Sequence, residues 1–404
     1  MSNSLLTIDM ITRKALAIFE NELVLTRNVN RAYDDSFAVE GAKIGSTLRI
    51  RLPDRALVTS GAALQVQDDN EQYTTLAVSN QAHIGVNFTS AELTMQLDDF
   101  ADRVLKPRIS QLAAYVDNDV ANAYKAIYQS VGTPGTVPGT SAVLLAGHQK
   151  LNEQAAPQSN RYATVNPAAN AGLVEGLKGL FNPVSTISRQ FKTGMMGEGV
   201  LGYDEINMSQ SIVTHTTGSR SATDTILVNG AVTTQGATSL AIDGGTGSAT
   251  FAVGDVFTIA GVFSVNPQTR QSTGSLQQFT VTALATASSG AWSSVSVSPA
   301  MYTPTSALAT ISAFPADNAV VTVLGAASTA YPQNLIYQKD AITFATADLL
   351  LPQGVDMASR QVHNGISLRV VRQYDINNDR MPCRIDVLYG YSTIRPQGAA
   401  RMWG

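Results

Sequence analysis

Between Ile206 and Gly325 only six of 120 residues are charged: Arg220, Asp224, Asp243, Asp255, Arg270 and Asp317. The other 284 residues carry 52 charges. The same segment holds 37 Ser and Thr and has no Lys or Glu. So abrupt a change of composition predicts a separate domain set into a more conventionally charged one. A flexible Ser/Thr/Gly linker has similar composition. Short β-patterned runs favour a folded insert: Thr225–Val228, Val256–Ala260, Gln278–Ala283, Val295–Ser298 and Ala319–Leu324. Gly, Pro, Asn or Ser clusters bound each of them, as they bound the strands of a barrel or sandwich.

The flanks read differently. Ile8, Ile11, Ala15 and Ile18, with Leu16, Phe19 and Leu23 beside them, predict an amphipathic helix behind Thr7 as N-cap. Residues 47–55 and 73–88 alternate as two strands, separated by the polar stretch Ser60–Glu71. From Leu97 to Tyr128 the apolar residues Leu97, Phe100, Ala101, Val104, Leu105, Leu112, Val116, Val120 and Ile127 recur at helical spacing. The predicted helix is roughly 45 Å long, and Pro107 should kink it or begin a second one. Thr133–Thr140 reads as a loop and Asn334–Leu351 as helix-like. Ile366–Asp375 and Cys383–Ile394 read as paired strands.

Charge and cysteine content exclude several classes. Lys plus Arg is 27 and Asp plus Glu is 31, a net charge of -4. That balance argues against a nucleic-acid binder with a broad basic face. The lone Cys383 excludes a disulfide framework and a thiolate zinc cluster. Asp9 interrupts any apolar run at the N-terminus, so no secretory signal is expected. No run of 18 apolar residues is present, so no membrane partner is expected.

Catalytic and metal motifs fare poorly. Gly197-Glu198-Gly199-Val200-Leu201-Gly202 fits GxGxxG. Asp204 and Glu205 follow where a pyrophosphate would sit, so a turn between strands is the better reading. Asp375-x-Asn377-x-Asp379 with Asp386 resembles the start of a calcium loop, but Arg380 replaces the required Gly. A hairpin turn rich in Asn and Asp fits better. His83, His148, His215 and His363 show no metal or catalytic spacing. Asp98 and Asp99 suit the dipole at a helix start better than an acid–base pair. No GxSxG or GxxxxGK[ST] occurs. No catalytic residue, cofactor or metal site is expected, and the chain reads as a non-enzyme.

Asn334–Leu349 (NLIYQKDAITFATADL), Ser367–Asp375 (SLRVVRQYD), Arg384–Tyr391 (RIDVLYGY) and Ile394–Pro396 form a recognisable set. They resemble segments of the major capsid proteins of tailed bacteriophages, in particular the coat proteins of the short-tailed Salmonella phage (P-twenty-two) type. Arg161–Pro167, Thr193–Gly197 with Gly202–Asp204, and Gly254–Val262 (GDVFTIAGV) resemble the central and inserted domains of the same family. The resemblance implies an α+β Hong Kong 97-type capsid fold with an inserted all-β, barrel-like domain. Its divisions would be an N-terminal arm (1–35), an extended β-loop and spine helix (36–132) and a central domain (133–205 and 326–365). The inserted barrel (206–325) and peripheral C-terminal strands (366–404) complete it. Two departures stand out. The charged loop of some relatives corresponds to the short, uncharged Asn229–Gly236. Gly45–Met95 contains no Lys for the isopeptide crosslink that other members make.

The implied function is a coat subunit that self-assembles as pentamers and hexamers into an icosahedral shell around double-stranded DNA. A scaffolding protein and a portal would be its assembly partners, contact with the packaged DNA would be non-specific, and no membrane is involved. The virion would be its location, after assembly in the host bacterial cytoplasm. A mildly acidic lining suits DNA that must slide, because a cationic one would hold phosphates. A two-stranded ribbon over residues 45–95 is marginal alone and needs a neighbour to lie on. There Arg49, Arg51 and Arg55 are candidate inter-subunit contacts, opposite Asp68, Asp69 and Glu71. A β-rich fibre or adhesin module is the competing reading of the Ser/Thr-rich insert, but it leaves the spine helix and C-terminal strands unexplained. A hydrolase built on Asp98 or Asp375 is a more distant third.

Overall fold

The computed structural model describes the chain except residues 1–7, 33–46, 63, 65, 68–71, 89–100, 177–193, 195 and 377–380. Thr7, Leu97, Phe100, Asp98, Asp99, Asn377 and Asp379 therefore lie outside the described residues. The chain divides into two compact units, one of residues 1–50, 74–120 and 342–394, the other of residues 51–73, 121–341 and 395–404.

The first unit is built on a five-stranded antiparallel sheet. Its long strand Met381–Thr393 pairs with Asn80–Phe88 and Ile366–Arg372 through its first half and with Ile342–Ala347 through its second. Met357–His363 continues the sheet beyond Ile366–Arg372. The helix Ile8–Glu22 buries Ile11, Ala15, Leu16 and Phe19, the face its spacing predicts, against the last two strands. The helix Lys106–Ala121 buries Leu105, Ile109, Leu112, Val116 and Val120. Pro107 lies in its first turn, behind a π-helical turn Ala101–Leu105, where the missing N–H costs nothing. The helical path closes in a 3-10 turn at Asn122–Ala126, so Ile127 and Tyr128 are not helical as expected. Asp117 accepts hydrogen bonds from the backbone amides of Val24, Leu25 and Thr26 and so caps the short helix Leu25–Asn28.

A mixed seven-stranded sheet anchors the second unit. Its order is Ser130–Val131, Ala399–Trp403, Ala330–Gln338, Arg161–Val165, Tyr203–Met208, Gly197–Val200, with Thr214–Thr216 pairing on the start of Ala330–Gln338. Helices Ser141–Glu153 and Pro167–Gly176, neither foreseen from the sequence, are part of this domain. Leu144, Leu151, Ala169 and Leu173 from these helices share a core with Ala163, Ile206, Ile336 and Met402.

The helix-like reading of Asn334–Leu351 is wrong. Ala330–Gln338 and Ile342–Ala347 are strands, and nearly every residue in them is buried. A strand covered on both faces shows a continuous apolar run, which periodicity cannot separate from a buried helix. The run 73–88 also divides into two strands, Tyr73–Ala77 and Asn80–Phe88, and the first run stops as a strand at Arg51, ahead of Pro53.

Within the same unit the charge-poor segment forms a closed barrel. The strand order is Val321–Val323, Val256–Val265, Ser272–Val281, Trp292–Met301, Ala237–Asp243, Leu227–Val228. The ends meet: Val228 N–H donates to Ala319 O (3.0 Å), Asn318 N–H to Val228 O (2.9 Å) and Val321 N–H to Ile226 O (2.9 Å). Closure leaves no sheet edge to pair with another chain. Phe251, Phe257, Phe279 and Trp292 fill the interior with Ile259, Val281 and Val295. The Phe251 and Trp292 rings lie 4.9 Å apart.

Candidate assembly interface

Thr47–Arg51 and Tyr73–Ala77 pair as a two-stranded ribbon, extended by a bond from Leu52 N–H to Gln72 O (2.9 Å). Period-two alternation buries Ile50 and Leu76 and turns Arg49, Arg51, Tyr73 and Thr75 outward. Beyond Pro53 the path is irregular. Val58, Leu64 and Val66 are there 86%, 89% and 86% exposed.

The structure thus separates the three candidate arginines. Arg49 and Arg51 share the outer face of one strand. Arg55 lies past its end, half-buried in the wall of a cleft of about 520 Å³. Their expected partners Asp68, Asp69 and Glu71 lie outside the described residues.

A second constellation, missed from the sequence, joins the barrel to the central sheet. Asp255 is fully buried at the start of a barrel strand. Its carboxylate accepts hydrogen bonds from His215 Nε2 (2.9 Å), Arg220 (3.0 Å) and the amides of Gly218 and Ala252. Burial pushes its pKa up, but the His215 hydrogen bond, the Arg220 charge and the Ala252 amide outweigh this and hold it below the usual carboxylate value. Tyr124 Oη meets the other nitrogen of His215 at 3.1 Å.

Arg401, on the C-terminal strand, is fully buried and donates to Ile127 O, Gly254 O and Thr280 Oγ1. Its guanidinium lies 5.5 Å from the centre of the Tyr124 ring. Burial pulls its pKa down to about 10. Around this joint, Gln278 bonds Ser130, Lys150 bonds Ser275 and Asn266 bonds Glu153 O. The available signal was scarcity: where only six charges occur in 120 residues, each is a candidate for a specific partner.

None of this is catalytic geometry. The His215–Asp255 pair is buried, and its free nitrogen faces a tyrosine rather than a nucleophile. His148 packs against the guanidinium of the buried Arg161, and burial with that charge lowers its pKa. His363 bonds Glu20, and His83 is exposed on an edge strand. Leu201 and Gly202, both at positive φ, form the turn between strands Gly197–Val200 and Tyr203–Met208. Asp386 is buried beneath Arg369 and Arg384. Among the described residues no three His, Cys, Asp or Glu gather to hold a metal ion, and no helix is long and apolar enough to cross a membrane.

No curated protein matches the chain. Among solved structures it is similar to one of Mycobacterium phage Che8, at 11% identity over 94% of this chain and 90% of that one, with a TM-score of 0.48. It is also similar to the capsid of cyanophage P-SCSP1u, at 12% identity over 90% and 84%, TM-score 0.42. The capsid of Ralstonia phage GP4 matches at 7% over 90% and 85%, TM-score 0.43. The assignment rests instead on the family profile of the P22 coat protein (gene protein 5), which matches residues 1–404. The chain therefore belongs to the P22 coat protein family, and its role is that of a major capsid protein, a structural component of the virion shell.

Proposed function

We propose that the chain forms pentamers and hexamers that close into an icosahedral shell around double-stranded DNA. Assembly takes place in the host bacterial cytoplasm with a scaffolding protein and a portal, and contact with DNA is non-specific. In this reading residues 1–35 are the arm, 206–325 an inserted domain, and the ribbon the limb by which one subunit grips the next. The carrying observation is the near-complete exposure of Val58, Leu64 and Val66 in the irregular segment that joins the ribbon's two strands. Leaving such side chains in water forgoes roughly 1.5–3 kcal/mol each, which docking against a neighbour recovers. Two strands alone are marginal in water, so a projecting ribbon is stabilised chiefly by what it lies on. Rings need heterologous contacts that close, and a limb reaching forward onto the next copy supplies one. Co-expression with the scaffolding protein of its phage should yield shells of uniform radius in negative-stain images. A folded chain that stays monomeric under those conditions overturns the reading.

A further inference from the structure

A cleft opens where the chain leaves the paired strands, at Leu52–Arg55 and Gln72, and it holds two arginines. Its walls come from segments distant in sequence, including Leu52–Arg55, Gln154–Pro157, Tyr302 and Arg395–Gly398. Arg55 and Arg395 are both half-buried there, and no carboxylate among the described residues pairs with either guanidinium. Among the described residues the one acid in the lining is Asp54, and one of its oxygens accepts the backbone N–H of Arg55 (2.7 Å). Two cations thus face one partly engaged anion. A half-buried guanidinium without a partner loses hydration and gains no pairing in return. Its planar fork matches carboxylates and phosphates alike, so the rest of the cleft must choose between them.

The remaining lining narrows the ligand. The amide of Gln338 is engaged with Asp340 and the Nε2 of Gln154 with Ser264, so the polar lining open to a ligand includes Gln397, and Tyr302 adds an aromatic wall. At about 520 Å³ the cleft is within the roughly 300–1,000 Å³ of pockets that enclose a compact ligand. A short acidic peptide fits these features better than a duplex, whose phosphates would meet Asp54 and no extended basic surface.

We infer that this cleft receives the acidic run Asp68-Asp69-Asn70-Glu71 of a second copy of the chain, with Arg55 and Arg395 reading its carboxylates. The inference rests on the shell reading and names its contact. Three acids in four residues make this run strongly complementary to the cleft. It also belongs to the limb whose apolar side chains stand exposed. Charge pairing of this kind sets register and rejects wrong partners.

The test uses the full-length monomer and a fluorescent synthetic peptide of residues 66–73 (VQDDNEQY). Saturable binding is expected, weakened at least tenfold in an Arg55→Gln, Arg395→Gln chain. The peptide with Asp68→Asn, Asp69→Asn and Glu71→Gln should be weakened similarly, and this arm leaves the protein unaltered. Absence of binding to the wild-type chain, indifference to either set of changes, or tighter binding of a short DNA duplex would each overturn the inference. Shell formation provides the second readout. The arginine variant should need at least a tenfold higher concentration to assemble. Unchanged assembly of that variant overturns the cleft contact while leaving the shell reading intact. Failure of the wild-type chain to assemble overturns the shell reading itself.

Discussion

The barrel and the ribbon are both β-structure, and they meet the problem of open strand edges in opposite ways. The barrel closes on itself and so removes its edges. Four of its six charges are spent internally: Asp255 on Arg220 and His215, Asp317 on the Gly230 amide, Asp224 on the Ser221 amide. The ribbon keeps two strands, turns Arg49 and Arg51 outward, and carries Val58, Leu64 and Val66 almost fully exposed. One region is complete within the subunit, and the other, in the proposed shell, is completed by a neighbour. In that reading low charge marks self-sufficiency, and mixed charge with exposed apolar groups marks a surface for another chain.

The contrast is broken most decisively by removing the apolar groups of the ribbon. Changing Val58→Ser, Leu64→Ser and Val66→Ser together should leave monomer stability within about 0.5 kcal/mol per site, as exposed changes do. The same change removes roughly 1.5–3 kcal/mol from each docked contact. Shells should then be absent at concentrations where the wild type assembles, as read by sedimentation. A clear fall in monomer melting temperature would show that these side chains serve the subunit's own fold.

The barrel side of the comparison is tested at its joint. Asp255→Ala leaves Arg220 and His215 buried without their anion, and breaking such a pair costs about 3–5 kcal/mol. Urea unfolding of the monomer should show that loss, and Asp255→Asn, which keeps hydrogen-bonding atoms, a smaller one. A loss under about 1 kcal/mol would mean that the apolar contacts of Val256, Tyr331 and Trp403 hold the joint alone.

How much of this the sequence discloses follows from locality. The helix Ile8–Glu22 is legible because its apolar stripe faces one partner. The barrel runs are legible because turn residues bracket them: Val256–Ala260 opens the strand Val256–Val265, and Val295–Ser298 lies within Trp292–Met301. Ala330–Gln338 is not legible, since burial on both faces erases the alternation. Half of Pro167–Gly176 is Ala or Gly, and in both it and Ser141–Glu153 the apolar stripe is too weak to stand out. The joint depends on pairings across 40 and 35 positions, His215 and Arg220 with Asp255, which no local pattern encodes. At the interface, Arg55 was singled out from the ribbon alone. Arg395, which faces the same cleft, is brought there only by the tertiary fold.

Charge on the ribbon face is a finer probe. Arg49→Glu with Arg51→Glu should change monomer stability by no more than about 1 kcal/mol per site, the size of an exposed pair. If these side chains meet carboxylates of a neighbour at an exposed rim, each contact changes by about 1 kcal/mol. The assembly threshold should rise several-fold at low salt and approach the wild-type value at high salt, where exposed pairs are screened. Equal thresholds at low salt would leave both arginines as a solvated strand face and restrict the interface to the apolar side chains and the cleft.

The smallest expected effect is the acid response of the joint, and it separates the two regions by pH rather than by mutation. The carboxyl of Asp255 titrates below its ordinary value of 3.8 in the folded chain, despite burial, because His215, Arg220 and the Ala252 amide favour the anion. A lowered folded-state pKa means that the unfolded chain takes up the proton first. The stability contributed by the anion is therefore present in full above about pH 4. It is lost as pH falls through the folded value. Other carboxylates titrate in the same range, so the informative quantity is the difference between wild type and Asp255→Asn. That difference should shrink as pH falls below about 4, in urea midpoints taken at each pH. The ribbon triple variant should track wild type across the range, since Val58, Leu64 and Val66 do not titrate. A wild-type and Asp255→Asn difference that stays level down to pH 2 would place the acid sensitivity elsewhere and reduce Asp255 to a hydrogen-bond acceptor whose charge is immaterial.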